Sequence, residues 1–133
     1  MRSLTFPYIR LRTIYLPIVP LTLFSRISAL KTEAYVDSGA FYSIFRIEAL
    51  DDLQLSKEQG RPNLLKAADG RLIRSFLFRL PIMLGDVKLR ALIAFSEDLN
   101  VGFNLLGRQT IFNAFDEVAF NERKKIVVFR RGD

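Results

Sequence analysis

The chain holds no cysteine, no histidine and no tryptophan among its 133 residues. Without cysteine there are no disulfides, no thiolate nucleophile, no iron–sulfur cluster and no thiolate-bound zinc. Without histidine, Ser-His-Asp and Cys-His catalysis, imidazole metal sites and an imidazole general base are excluded. The catalytic side chains that remain are carboxylates, Lys, Tyr, Ser and Thr, and carboxylates are the most versatile acid–base pair among them. An enzyme of this composition is expected to be an acid enzyme that uses neither a metal nor a cofactor.

Long hydrophobic runs are missing too. The apolar stretch from Ile14 to Phe24 is interrupted by Pro17 and Pro20 and preceded by Arg10 and Arg12. It falls short of the roughly 20 residues needed to span a bilayer. No small-residue cleavage site follows it, so it makes a poor secretory signal. The expectation is a strand in a cytoplasmic protein with no membrane partner.

What is present is enough for a core: 50% of residues are hydrophobic and 26% charged. A chain of this length fits one domain, residues 1–133, with a radius of gyration of about 14 Å. Twelve Phe, with many Val, Ile, Leu and Tyr in short runs, favour strands. The net charge of +6 raises the question of nucleic acid. Basic residues are scattered, however, and concentrate only at Arg123, Lys124, Lys125, Arg130 and Arg131, which read as a solvated hairpin face. No aromatic RNA-binding signature accompanies them, so nucleic acid is not the expected partner. The terminal Arg131-Gly132-Asp133 is read as a chance match to an adhesion motif.

Along the chain, Tyr8 to Tyr15 alternates with the period of a half-buried strand. Pro17 and Pro20 put Leu16 to Phe24 on an edge or in an extended connection. Ser28 to Val36 is a further strand, followed by a turn at Asp37-Ser38-Gly39. The spacing of Ile44, Ile47 and Leu50 suggests a short helix over Ile44 to Leu53, and Gln59 to Asn63 reads as a loop. Leu64–Ala68 and Leu72–Leu80 flank Asp69-Gly70, the strongest hairpin signal in the chain. Leu80–Leu84 and Val87–Phe95 turn at Gly85-Asp86, and Val101–Leu106 is a buried strand ending at Gly107. Arg108 to Phe115 suggests a second short helix, and Val118–Phe120 with Ile126–Phe129 closes a hairpin. The sum is mainly β, a barrel or sandwich with one or two short helices.

Asp37 leaves an apolar strand end on a tight turn, and by itself Asp-Ser-Gly is an ordinary Asx-turn composition. The wider run Ala34-Tyr35-Val36-Asp37-Ser38-Gly39-Ala40 resembles the catalytic loop of single-domain, retropepsin-like aspartic peptidases of the bacterial and archaeal type. Asn104-Leu105-Leu106-Gly107-Arg108 resembles the second motif of that family. Ser38 stands where retroviral members have Thr, which keeps the hydroxyl.

The resemblance implies a closed β-barrel of the acid-protease type, with Asp37 catalytic and Ser38, Gly39 and Ala40 supporting its loop. It also implies a flap hairpin over about residues 64–78, with Ala67, Ala68, Asp69 and Gly70 at the substrate, and a supporting role for Leu105, Leu106 and Gly107. The flap candidate is poor in glycine and carries Lys66, Arg71 and Arg74. Gly39 would let its N–H approach the carboxylate, and the Ser38 hydroxyl would brace the loop from beneath.

One carboxylate is half of such a site, because activating water and protonating the carbonyl oxygen takes a pair that shares one proton. Asp51-Asp52, Glu97-Asp98 and Asp116-Glu117 are adjacent pairs, and strand neighbours point to opposite faces. The second carboxylate is therefore expected from another copy, giving a homodimer that cleaves peptides or proteins. Two alternatives stand beside this reading: a dimeric binding module of the same fold without catalysis, and a basic β-domain bound to nucleic acid. Retention of Asp37, the hydroxyl and Gly39 favours the peptidase.

Overall fold

The computed structural model describes residues 1–67 and 69–132. Its topology follows from where the chain places its apolar runs. β1 (Arg2–Pro7) pairs with β12 (Ile126–Arg131), which also pairs with β11 (Glu117–Asn121), making a three-stranded antiparallel sheet. β2 (Ile9–Leu11) and β3 (Ile14–Leu16) form a small separate hairpin. The main sheet runs in the order β4 (Ile18–Phe24), β5 (Ala29–Val36), β10 (Asn104–Leu106), β6 (Ser43–Arg46), β9 (Val87–Ser96), β8 (Leu72–Leu84), β7 (Arg61–Lys66). A further pairing places Thr22 of β4 opposite Met83 of β8, and Leu23 opposite Ile82.

Phenylalanines dominate the interior. Phe45, Phe95 and Phe129 are completely buried; Phe78 meets Phe95 edge-on at 5.5 Å, and Phe115 packs on Phe129 at 5.1 Å. Such pairs add to the area they bury because ring edges are positive and ring faces negative. A smaller cluster of Ile44, Leu65, Ile73, Leu77 and Ala94 fills the space under the β7–β8 hairpin.

Several expectations need correction. Ile44 lies in strand β6, and the only α-helix among the described residues is α1 (Ala49–Asp52). β6 is sandwiched between β10 and β9, and Ser43, Ile44 and Phe45 are all buried. A strand covered on both faces loses its period-two signal, so its apolar spacing imitates a helix. The second expected helix shrinks to a single 3-10 turn, Phe112–Ala114. Thr110, at φ 65°, leaves right-handed helical space and halts it.

Tyr8 to Tyr15 is split into β2 and β3 by Arg12 at φ 56°. Pro20 does sit at a sheet edge, as expected: β4 ends the main strand order, and Pro20 is an exposed position of it outside the two-residue contact with β8. β8 passes straight through the exposed Pro81, and Pro62 and Asn63 belong to edge strand β7 rather than to a loop. Only Asn104–Leu106 of the expected strand from Val101 is extended. The turns at Gly70 (φ 86°) and Gly85 (φ 59°) do use the left-handed region that glycine permits. No helix of the described residues is long and apolar enough to cross a membrane.

Phe95→Ala is expected to lower unfolding free energy by about 3–5 kcal/mol, because it empties the centre of the aromatic cluster. Leu64→Ala, at a residue 60% exposed, should change it by less than about 0.5 kcal/mol. Urea titration of both variants checks the assignment of the core.

Candidate active site

β5 and β6 are consecutive in the chain but not adjacent in the sheet, because β10 lies between them. β10 runs parallel to β5, Leu105 opposite Tyr35 and Leu106 opposite Val36. The loop from Asp37 to Tyr42 must therefore arch over the end of β10. Asp37 N–H donates to Leu106 C=O at 3.0 Å, Arg108 N–H to Ala40 C=O at 2.9 Å and Gln109 N–H to Phe41 C=O at 2.7 Å. The two motifs, nearly seventy residues apart in the chain, thus become one backbone-bonded unit.

Within it the Asp37 side chain is half-buried, and Gly39 N–H donates to its Oδ1 at 2.8 Å. A Cβ on Gly39 would stand 3.2 Å from that oxygen, tighter than usual contact. Gly107 is more constrained: a Cβ there would meet Tyr42 O at 2.4 Å and Ala40 O at 2.9 Å. Glycine at 107 is what lets the loop close over β10.

The expected bracing by Ser38 needs correction. Ser38 is exposed, and no side-chain hydrogen bond of its hydroxyl occurs among the described residues. Ser43 braces the loop instead: completely buried, it accepts the Gly107 N–H at 2.9 Å. Its trace in the sequence is a lone hydroxyl opening the apolar strand Ser43-Ile44-Phe45. Asn104 completes the frame, accepting Arg46 N–H at 3.0 Å and donating to Glu33 C=O at 3.1 Å, so that it ties β10 to both neighbours.

Asp37, Gly39, Ala40 and Leu105 line a cleft of about 300 Å³ whose opposite wall is the β7–β8 hairpin, with Leu65, Ala67, Arg71 and Ile73. Of the expected flap-tip residues, Ala67 lines the cleft, Asp69 and Gly70 lie beyond it in the turn, and Ala68 falls outside the described residues. Leu106 and Gly107 are buried beneath the loop. The hairpin is fastened to the segment after β9: Asp98 accepts Arg74 N–H at 3.0 Å and both Nε and Nη2 of its guanidinium, and Arg71 Nη2 donates to Asn100. Those Arg74 hydrogen bonds, side chain first and then backbone, hold the Asp98 carboxyl below the usual carboxylate range.

On the other side of the loop, Asp37 and Ser38 border a second hollow of about 310 Å³ with Tyr15, Tyr35 and Glu122. Burial, then the Asp37 and Glu122 carboxylates, push the Tyr35 phenol above its ordinary value. Glu122 accepts the Tyr8 hydroxyl. A larger open hollow of about 540 Å³, bounded by Phe6, Pro20, Lys31, Glu33 and Met83, lies apart from Asp37.

No known protein family matches the sequence, and no curated protein does. Among solved structures the chain is similar to a retropepsin-like aspartic protease from Rickettsia conorii. Identity is 15%, 97% of this chain and 99% of that chain are covered, and the TM-score is 0.70. The likeness establishes a retropepsin-like, mainly β fold.

Ser43→Ala should cost about 1–3 kcal/mol in urea unfolding, because it strands the buried Gly107 N–H. The Asp98 tie is complete above the carboxyl's unfolded pKa, since its folded value is depressed, and is lost only as pH falls through that folded value. An NMR titration should therefore give Asp98 a midpoint below the free-aspartate value of about 3.9, and Asp98→Asn should speed amide exchange at Arg74.

Proposed function

We propose that residues 1–133 form one retropepsin-like domain, closed as a β-barrel through the β4–β8 pairing, that works as an aspartic endopeptidase in a homodimer. The observation that carries this reading is the placement of Asp37: half-buried at a cleft, its carboxylate fixed by Gly39, on a loop locked by the Leu105-Leu106-Gly107 strand end. Two such loops facing each other across a two-fold axis would bring two carboxylates together. Like charges so close cannot both persist, so the pair retains one proton, as in aspartic peptidases generally.

The reaction follows from that shared proton. The ionised carboxylate takes a proton from water as its oxygen attacks the scissile carbonyl carbon, while the protonated carboxyl gives its proton to the carbonyl oxygen. Collapse of the tetrahedral intermediate transfers a proton to the leaving nitrogen and breaks the C–N bond. The β7–β8 hairpin acts as the flap, covering an extended peptide and excluding water.

One observation favours a second reading, in which the acid pair lies within one chain: Asp37 and Glu122 share a hollow. Glu122 is already engaged by Tyr8, which suits a structural role better.

Asp37→Asn should abolish cleavage of an unstructured protein at acidic pH while sedimentation still shows a dimer, whereas Glu122→Gln should retain turnover. Rate per chain should fall on dilution below the dimer dissociation constant. Activity in pure Asp37→Asn protein, or a constant rate per chain among sedimenting monomers, overturns the shared pair.

A further inference from the structure

The charges around the cleft are unevenly satisfied. Away from Asp37, the acid lining it is Asp98, and both of its oxygens are taken by Arg74. Lys66 lines the cleft too, but as an exposed residue at the end of β7 with no hydrogen bond or ion pair of its side chain among the described residues. Arg71 differs from both. Its backbone is anchored on both sides: its C=O accepts Ala67 N–H at 2.8 Å, and its N–H donates to Asp69 Oδ1 at 3.0 Å. From that fixed base the side chain crosses from the hairpin to the segment after β9, where Nη2 reaches Asn100 Oδ1 at 3.2 Å.

Arg71 and Asn100 both line the cleft, so this hydrogen bond lies along its rim. A guanidinium has five N–H donors, and a neutral amide uses one of them. The neighbouring carboxylate, Asp69, has an oxygen 3.9 Å from Nε in a pair whose side chains are 45% and 67% exposed, and exposed pairs bind weakly. A planar fork whose one side-chain hydrogen bond among the described residues goes to Asn100, desolvated when a peptide covers the cleft, matches a carboxylate in two-point geometry better than any neutral group.

We propose that Arg71 is a specificity-determining residue that selects peptides bearing an acidic side chain where the substrate passes the hairpin end of the cleft, exchanging its Asn100 contact for the substrate carboxylate. This rests on the peptidase reading of the cleft. Asp98 feels the Arg71 charge, but its side-chain hydrogen bonds go to Arg74, and Asn100 is a neutral partner that a charged one displaces.

The test uses unstructured peptides identical except for Glu or Gln at each position flanking the cleaved bond. At one position the wild-type dimer should favour Glu by about tenfold in KM, the weight of one charge-assisted hydrogen bond. Arg71→Gln should bring that ratio to about one, and Arg71→Lys should restore part of it through its point charge. Binding of the same peptides to Asp37→Asn protein, followed by fluorescence anisotropy, reads the preference without turnover. Cleavage with no Glu preference at any position, or a preference that survives Arg71→Gln, overturns the role of Arg71 and leaves the peptidase reading intact. A Glu preference in binding without cleavage by the wild type overturns the peptidase reading and supports Arg71 as the carboxylate-recognising group.

Discussion

The insertion of one three-residue strand between two others is the constraint on which the rest depends. With β10 wedged between β5 and β6, the chain leaving β5 must climb over the strand end before it can descend into β6. That arch is the Asp37 loop. Its backbone groups would be stranded if β10 were absent, since Asp37 N–H and the carbonyls of Ala40 and Phe41 find their partners at Leu106, Arg108 and Gln109. The position of the carboxylate is thus a consequence of sheet order rather than of the turn alone.

Close approach then dictates residue type. Gly107 passes so near Tyr42 and Ala40 that no side chain fits. The N–H buried by this contact requires an acceptor, and Ser43 provides it from within an otherwise apolar strand. The aromatic interior has a related role. Phe45 and Phe95 lie on paired strands β6 and β9, so the packing that stabilises the domain also fixes the floor from which the loop rises.

Electrostatics is organised around the hairpin that faces Asp37. Arg74 and Asp98 form a tie in which the Arg74 hydrogen bonds hold the carboxyl below the usual carboxylate range. The Tyr35 and Tyr8 phenols are both pushed above their ordinary values, burial being the main cause, and the Tyr8 hydroxyl donates to Glu122, which borders the hollow on the other side of the loop. The excess of basic residues therefore divides into paired groups such as Arg74, solvated groups such as Arg123 and Lys124, and the rim group Arg71.

The elements legible in the sequence are those specified by near neighbours. Asp69-Gly70 and Gly85-Asp86 are turns because glycine there adopts positive φ, and β11 and β12 pair across a short connection. Asp37-Ser38-Gly39 is readable as a tight turn after an apolar strand because its own side chain closes it, the Gly39 N–H donating to the Asp37 carboxylate. What the sequence left undetermined is non-local. Ile44 to Leu53 has helical spacing, yet Ile44 is held in a strand by β10 and β9; Pro62 and Asn63 read as a loop, yet pair with β8 in edge strand β7. Ser43 bracing Gly107, Glu122 bordering the same hollow as Asp37 and Arg71 reaching across to Asn100 are juxtapositions of residues far apart in the chain. Local propensity acts over a few residues, whereas sheet order is decided by which buried faces fit one another, and that fit exists only in the folded chain.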